Sequence, residues 1–124
     1  MLSKKILFQE ILNSFHFLED IDYHPSIFED RDFVIMYRSL KRRRKILIEI
    51  GFEIRCRIFR TPLFLGNPAN PKNIIIVNEI FKNDDEFKAL DILLTEDNWR
   101  EVIYSYSKFI EKKLYPILDG SKWL

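Results

Sequence analysis

From Ile46 to Ile58 apolar and polar residues alternate over thirteen positions, a period of two that suits an extended chain with one dry and one wet face. The even positions are Ile46, Ile48, Ile50, Phe52, Ile54, Cys56 and Ile58, and the odd ones include Glu49, Glu53, Arg55 and Arg57. A helix would scatter those side chains around its axis. Thirteen residues are long for one strand, and Gly51 in the middle is the place for a turn or a bulge. FVIMYR at 33–38, β-branched and aromatic, supplies another extended segment. Together these predict a meander of three antiparallel strands near 33–39, 44–50 and 53–60.

Helical periodicity brackets the meander. Leu7, Phe8, Ile11, Leu12, Phe15 and Leu18 share one face at about 100° per residue, which predicts a helix over 4–18. Ile6 and Phe17 fall opposite, either beneath a second covering layer or as a small exposed contact patch. The acidic stretch from Glu19 to Asp32 reads as a loop, with room for a short fourth strand at Ile27 and Phe28. TPLFLGNPANPKN, at 61–73, holds three prolines and a glycine and reads as a long loop. Residues 74–82 suit either a strand or a helix; Asn78, Glu79 and Lys82 set against Ile74, Val77, Ile80 and Phe81 favour the short helix. Thr95 is placed to cap a helix running from Glu96 to about Tyr115, with Trp99, Val102, Ile103, Tyr106, Phe109, Ile110 and Leu114 on its buried stripe. Pro116 opposes simple continuation, and Gly120 can end a last turn. The expected architecture is α+β: an N-terminal helix, a three-stranded antiparallel meander extendable to four strands, and a C-terminal amphipathic helix packed on the sheet, in one domain over 1–124.

Composition narrows the function classes. A chain of 124 residues can bury a sizeable core, and eleven Phe against three Gly argue for a packed globule. One cysteine can neither close an internal disulfide nor build a thiolate metal site. No apolar run approaches bilayer length, and Gln9, Glu10 and Asn13 interrupt any signal-peptide core, so a cytoplasmic protein away from membranes is expected.

The net charge of +1 hides segregation. Residues 38–60 hold nine cations against Glu49 and Glu53, while 19–32 and 79–101 are acidic. The run Lys41, Arg42, Arg43, Arg44, Lys45 falls between two strand patterns, where a turn in water would explain it and where charge also discourages edge-to-edge pairing. Arg38, Arg55 and Arg57 extend that cluster along the wet sheet face, and Tyr37 would stack on a base if it pointed outward.

Catalytic chemistry finds little to work with. His16 lies at the border of the first helix's apolar face and reads as a partly buried structural residue, while His24 precedes Pro25 in a solvated loop. Cys56 sits on the dry side of its strand as an inert thiol. There is no Gly-x-Ser-x-Gly elbow, phosphate-cradling Gly loop or His-Glu-x-x-His pair. Asp84, Asp85 and Glu86, or Glu19, Asp20 and Asp22, could gather a divalent cation but lack calcium-loop spacing and read as solvated acidic turns. The expectation is a non-enzyme with no cofactor and no metal.

FVIMYRS at 33–39, GFEIRCRIFR at 51–60 and IYSYSKFIEKKLYPILDGSKWL at 103–124 give a Tyr-x-Ser strand end, an aromatic-Glu strand start and a terminal helix closing on Leu, Asp, Gly and a late aromatic. In layout this resembles a loose class of small bacterial α+β proteins that includes immunity proteins, which neutralise toxins secreted in interbacterial competition. The resemblance implies a non-enzymatic module that binds one protein and occludes it, without assigning a role to any residue. Immunity proteins against nucleases are often acidic and this chain is nearly neutral, so the partner's identity stays open. The residues expected at a partner surface are Arg42, Arg43, Arg44, Arg55 and Arg57 on the basic side and Asp84, Asp85 and Glu86 on the acidic side. The alternative is a nucleic-acid-binding or regulatory protein using the basic 38–60 hairpin.

Overall fold

A computed structural model describes residues 4–28, 33–60 and 71–124 of the chain. Five strands form one antiparallel sheet in the order β1-β2-β3-β4-β5: His24–Phe28 (β1), Val34–Ser39 (β2), Arg44–Ile50 (β3), Ile54–Arg60 (β4) and Ile74–Ile76 (β5). Each strand pairs with its neighbour in sequence, so no connection crosses the sheet. The predicted three strands are β2, β3 and β4. The five-stranded sheet corrects the smaller count: β1 begins earlier than the Ile27–Phe28 pair suggested, and β5 occupies the first half of the segment expected to be helical. There Ile74, Ile75 and Ile76 extend beside β4, and the chain coils into the short helix Val77–Ile80 (α3) immediately after.

The turn between β3 and β4 falls at Gly51, whose N–H donates to the Glu53 carbonyl at 3.1 Å. This moves Phe52 off the dry face on which alternation had placed it; at the tip it is 86% exposed. Pairing then aligns the inward residues in rows: Pro25, Tyr37, Ile46, Ile58 and Ile75 in one, Ile27, Ile35, Ile48 and Cys56 in the next. Most of these side chains are buried, as the alternation required.

The helices supply the other half of the same core. Lys4–Ser14 (α1) and His16–Asp20 (α2) replace the single predicted helix over 4–18, because the backbone leaves helical geometry at Phe15 (φ −99°, ψ 19°). That break turns Phe17 back toward the core, where its ring lies 6.2 Å from that of Phe15, while Ile6 stays exposed. It also corrects the reading of His16, which opens α2 in solvent within 3.8 Å of Glu19 and 3.7 Å of Asp20. Asp85–Lys88 (α4) is capped by the Asp84 carboxylate, which accepts from the Phe87 N–H, and Phe87 packs on Phe81, Tyr106 and Phe109.

Trp99–Leu118 (α5) carries the predicted stripe, with Trp99, Val102, Ile103, Tyr106, Phe109, Ile110 and Leu114 all buried. Its cap is three residues later than predicted. Thr95 instead exchanges hydrogen bonds with Asn98 across a preceding turn, and Asn98 is the capping position. The helix also runs through Pro116 to Leu118: the proline lies in its last turn, and the hydrogen bond it cannot donate to the Lys112 carbonyl is lost without stopping the helix.

Residues 29–32, with Glu29, Asp30 and Asp32 of the acidic stretch, and 61–70 of the predicted proline-rich loop lie outside the described residues; Pro71–Asn73 form one turn of 3-10 helix. No helix among the described residues is long and apolar enough to cross a membrane.

Candidate functional site: the outer face of the sheet

Strand register divides the cation run into two groups with different duties. Arg44 and Arg60 are Cα partners on the inward parity, at the end of the sheet where α5 terminates. A helix ends with four carbonyls that have no intrahelical donor, and with the negative end of its dipole. Here all four are served. Asp119 N–H reaches Tyr115 O at 2.8 Å, Lys122 N–H reaches Pro116 O at 3.0 Å, Arg44 Nε reaches Ile117 O at 3.0 Å, and Tyr23 Oη donates to Leu118 O at 2.6 Å.

The rest of the Arg44 fork is also committed, with Nη1 on the carbonyls of Arg42 and Arg43 and Nη2 on that of Lys122. The guanidinium lies 5.0 Å from the Trp123 ring centroid, and that of Arg60 lies 4.9 Å from it. Trp123 in turn donates through Nε1 to Lys72 O at 2.8 Å. Desolvation lowers the pKa of Arg44 from its usual value, and a guanidinium remains charged in any case. Burial pushes the Tyr23 phenol up, keeping it a neutral donor.

Arg42 makes a second clamp. Nε donates to Ile21 O, Nη1 to Asp119 O, and Nη2 pairs with Asp22 at 3.5 Å. Lys41 shares the same carboxylate at 3.3 Å. Gly120, at φ +85°, lets the chain turn against Arg42 O, which a Cβ there would meet at 3.2 Å. A solvated turn therefore describes only part of the run: Arg44 is buried, Arg42 is half-buried, and Arg43 is exposed in the left-handed conformation at φ 57°.

The outward parity is different. Three rows cross the sheet: Phe28, Val34, Glu49 and Arg55; Ser26, Met36, Leu47, Arg57 and Ile76; and His24, Arg38, Lys45, Phe59 and Ile74. The middle of this face is aliphatic, with Met36 and Leu47 half-buried, and its border is cationic. Among the described residues no helix packs over it, and Arg38, Lys45 and Arg57 have no ion-pair partner there. Arg55 pairs with Glu53 at 3.4 Å, and Glu49 is the one carboxylate in the three rows.

Of the predicted partner residues, the structure brings Arg55 and Arg57 together on this face and sets Arg42 and Arg44 apart at its end. Asp84, Asp85 and Glu86 lie elsewhere: Asp84 caps α4, Asp85 is exposed beside Lys88 at 3.8 Å, and Glu86 pairs with Lys112 of α5 at 3.6 Å. Met36, Leu47 and Phe59 were missed, although their parity with Arg38, Lys45 and Arg57 is readable once strand ends are known. Tyr37 corrects the stacking proposal, because it points into the core, wholly buried, with its ring 6.5 Å from that of Phe15 and its hydroxyl unpartnered.

Groups with chemical potential elsewhere are sealed. Cys56 is 1% exposed and burial pushes its thiol up. Tyr106 donates to Asn78 Oδ1, and burial pushes its phenol up as well. Asn78 completes the sheet past the end of β5 by accepting from Cys56 N–H and donating to Ile54 O. Among the described residues no three His, Cys, Asp or Glu side chains are grouped to hold a metal ion. No protein-family model, curated protein or solved structure matches the chain.

Proposed function

We propose that this protein is a non-enzymatic protein-binding module whose recognition surface is the outer face of the sheet, acting as an immunity-type antidote that occludes a toxin. One observation carries the reading: an aliphatic centre, Met36 and Leu47, bordered by Arg38, Lys45 and Arg57, cations without ion-pair partners among the described residues. An apolar centre with a polar rim is the arrangement of a protein interface, with charge guiding the encounter. Five strands at about 4.8 Å make a face roughly 20 Å wide, on the order of 400 Å², about half of what one partner contributes to a standard interface. A partner would therefore also cover one rim of the sheet.

The nucleic-acid alternative keeps the same cations but has less support. Tyr37 is turned inward, Arg42 and Arg44 are committed to carbonyls, and the aromatic rings of the outward rows, Phe28 and Phe59, stand on either side of an aliphatic centre at Met36 and Leu47 rather than forming a continuous stacking platform. The test is to co-express the chain with each secreted toxin encoded in its genome of origin and to measure binding to, and protection from, that toxin. The wild-type chain should bind and protect, and a Met36→Glu, Leu47→Glu double variant should do neither. Wild-type protein that neither binds nor protects sinks the proposal, as does a double variant that works equally well. Titration of a labelled single-stranded oligonucleotide against salt addresses the alternative: tight binding whose salt slope falls in Arg57→Gln would establish it in place of the first reading.

A further inference from the structure

The molecule carries a second apolar surface of opposite electrostatic character. At the β3–β4 tip Phe52 is 86% exposed, and beside it Leu93 is 67% and Ile92 39% exposed. The two loops are joined by the Leu94 N–H, which donates to Phe52 O at 2.7 Å. Residues 90–97 contain three carboxylates, Asp91, Glu96 and Asp97, and no cation. This gives a protruding apolar knob with an acidic surround, on the same molecule as an aliphatic face with a cationic border.

The knob cannot reach its own face. Phe52 sits at the end of the strands whose middles, Leu47 and Arg57, form that face, and Gly51 to Glu53 make a tight turn. Two faces meeting about a twofold axis would oppose Arg38, Lys45 and Arg57 to their own copies, an unfavourable contact of like charges. A knob on a face satisfies both the apolar and the charged requirement.

We infer that a second copy of this chain docks its Phe52–Leu93 knob on the outer sheet face, head to tail, so that self-association and partner binding compete for one surface. The inference rests on the proposed recognition face but not on the partner's identity. Since the contact is heterologous, successive copies form a ring or an open chain rather than a closed twofold dimer.

Sedimentation velocity of the purified full chain over a concentration and salt series tests this without any partner. The wild type should associate with rising concentration and dissociate as salt increases. Phe52→Ser, Leu93→Ser (knob) and Met36→Glu, Leu47→Glu (face) should each be monomeric, with circular dichroism confirming that both fold. Mixed together, they should recover a one-to-one pair, because each retains the half that the other lacks. A charge exchange gives an independent arm: Arg57→Glu should weaken association roughly tenfold, and mixing it with Asp97→Lys should recover most of the loss. A wild type that is monomeric at every concentration overturns the inference, as does a dimer indifferent to Phe52→Ser and Leu93→Ser, or a mixture of knob and face variants that fails to pair. Toxin binding that persists in a strictly monomeric wild type removes only the self-docking. Self-association that persists while no partner is bound removes only the earlier reading.

Discussion

Replacing Arg44 by Ala should be the most damaging single change in the basic hairpin, although the sequence places it among four similar neighbours. The side chain is 7% exposed and donates to the carbonyls of Ile117, Arg42, Arg43 and Lys122. The buried, charge-assisted bond to Ile117 contributes about 2 kcal/mol, and the three partly buried ones with the Trp123 contact add about 1–2 kcal/mol together, for about 3–4 kcal/mol after discounting non-additivity. Unfolding entropy of about 2.1 cal/mol/K per residue over this chain gives roughly 0.26 kcal/mol/K, so Tm should fall by about 13 °C. Arg43→Ala, a change at an exposed side chain, should move Tm by about 2 °C or less. Arg44→Lys keeps the charge but not the planar fork and should recover less than half of the loss. Thermal denaturation of the three variants followed by circular dichroism decides it. An Arg44→Ala midpoint within about 3 °C of Arg43→Ala would refute the capping role.

Other outcomes follow from the same geometry. Gly120→Ala should cost about 1–2 kcal/mol, from its positive φ and the 3.2 Å approach to Arg42 O, whereas Gly51→Ala, with open space around it, should be neutral or slightly stabilising by chemical denaturation. Cys56 should react with a thiol reagent only when the fold opens, at a rate that rises with urea; rapid labelling in native buffer would contradict its burial. Asp119 is held below the usual carboxylate range, chiefly because it accepts from Ser121 and secondarily by Arg42 and Arg44. Its contribution is therefore complete above the ordinary carboxylate pKa and lost as pH falls through the lowered one. Asp119→Asn should be less stable than wild type at neutral pH and indistinguishable from it in strong acid; a gap that stays constant across the titration would show that charge is not involved.

The strands were legible because alternation survives wherever one face is dry: β2, β3 and β4 lie within a residue of their predicted limits. What failed, failed where a longer-range partner decided. Ile74 to Ile76 extend because β4 offers an unpaired edge, and Asn78 then imitates a further rung, neither of which a local period can report. The helix break at Phe15 leaves no proline or glycine signal behind it. The candidate face was half visible: Arg55 and Arg57 were marked by charge, but Met36 and Leu47 acquire meaning only when three strands set them side by side. The five consecutive cations looked alike in one dimension. Parity, together with where α5 stops, sorts Arg44 inward and leaves Arg43 in solvent.

Because every strand pairs with its sequence neighbour, the sheet can zip hairpin by hairpin, with the short connections among β1 to β4 closing early in the folding reaction. The junction of Tyr23 with Leu118 spans 95 positions and can close only late. An intermediate with a formed sheet and an undocked terminal helix would therefore show its Arg44 and Arg60 guanidiniums to solvent. Hydrogen exchange in the last turn of that helix should report its arrival as a separate, slower event than protection in the central strands.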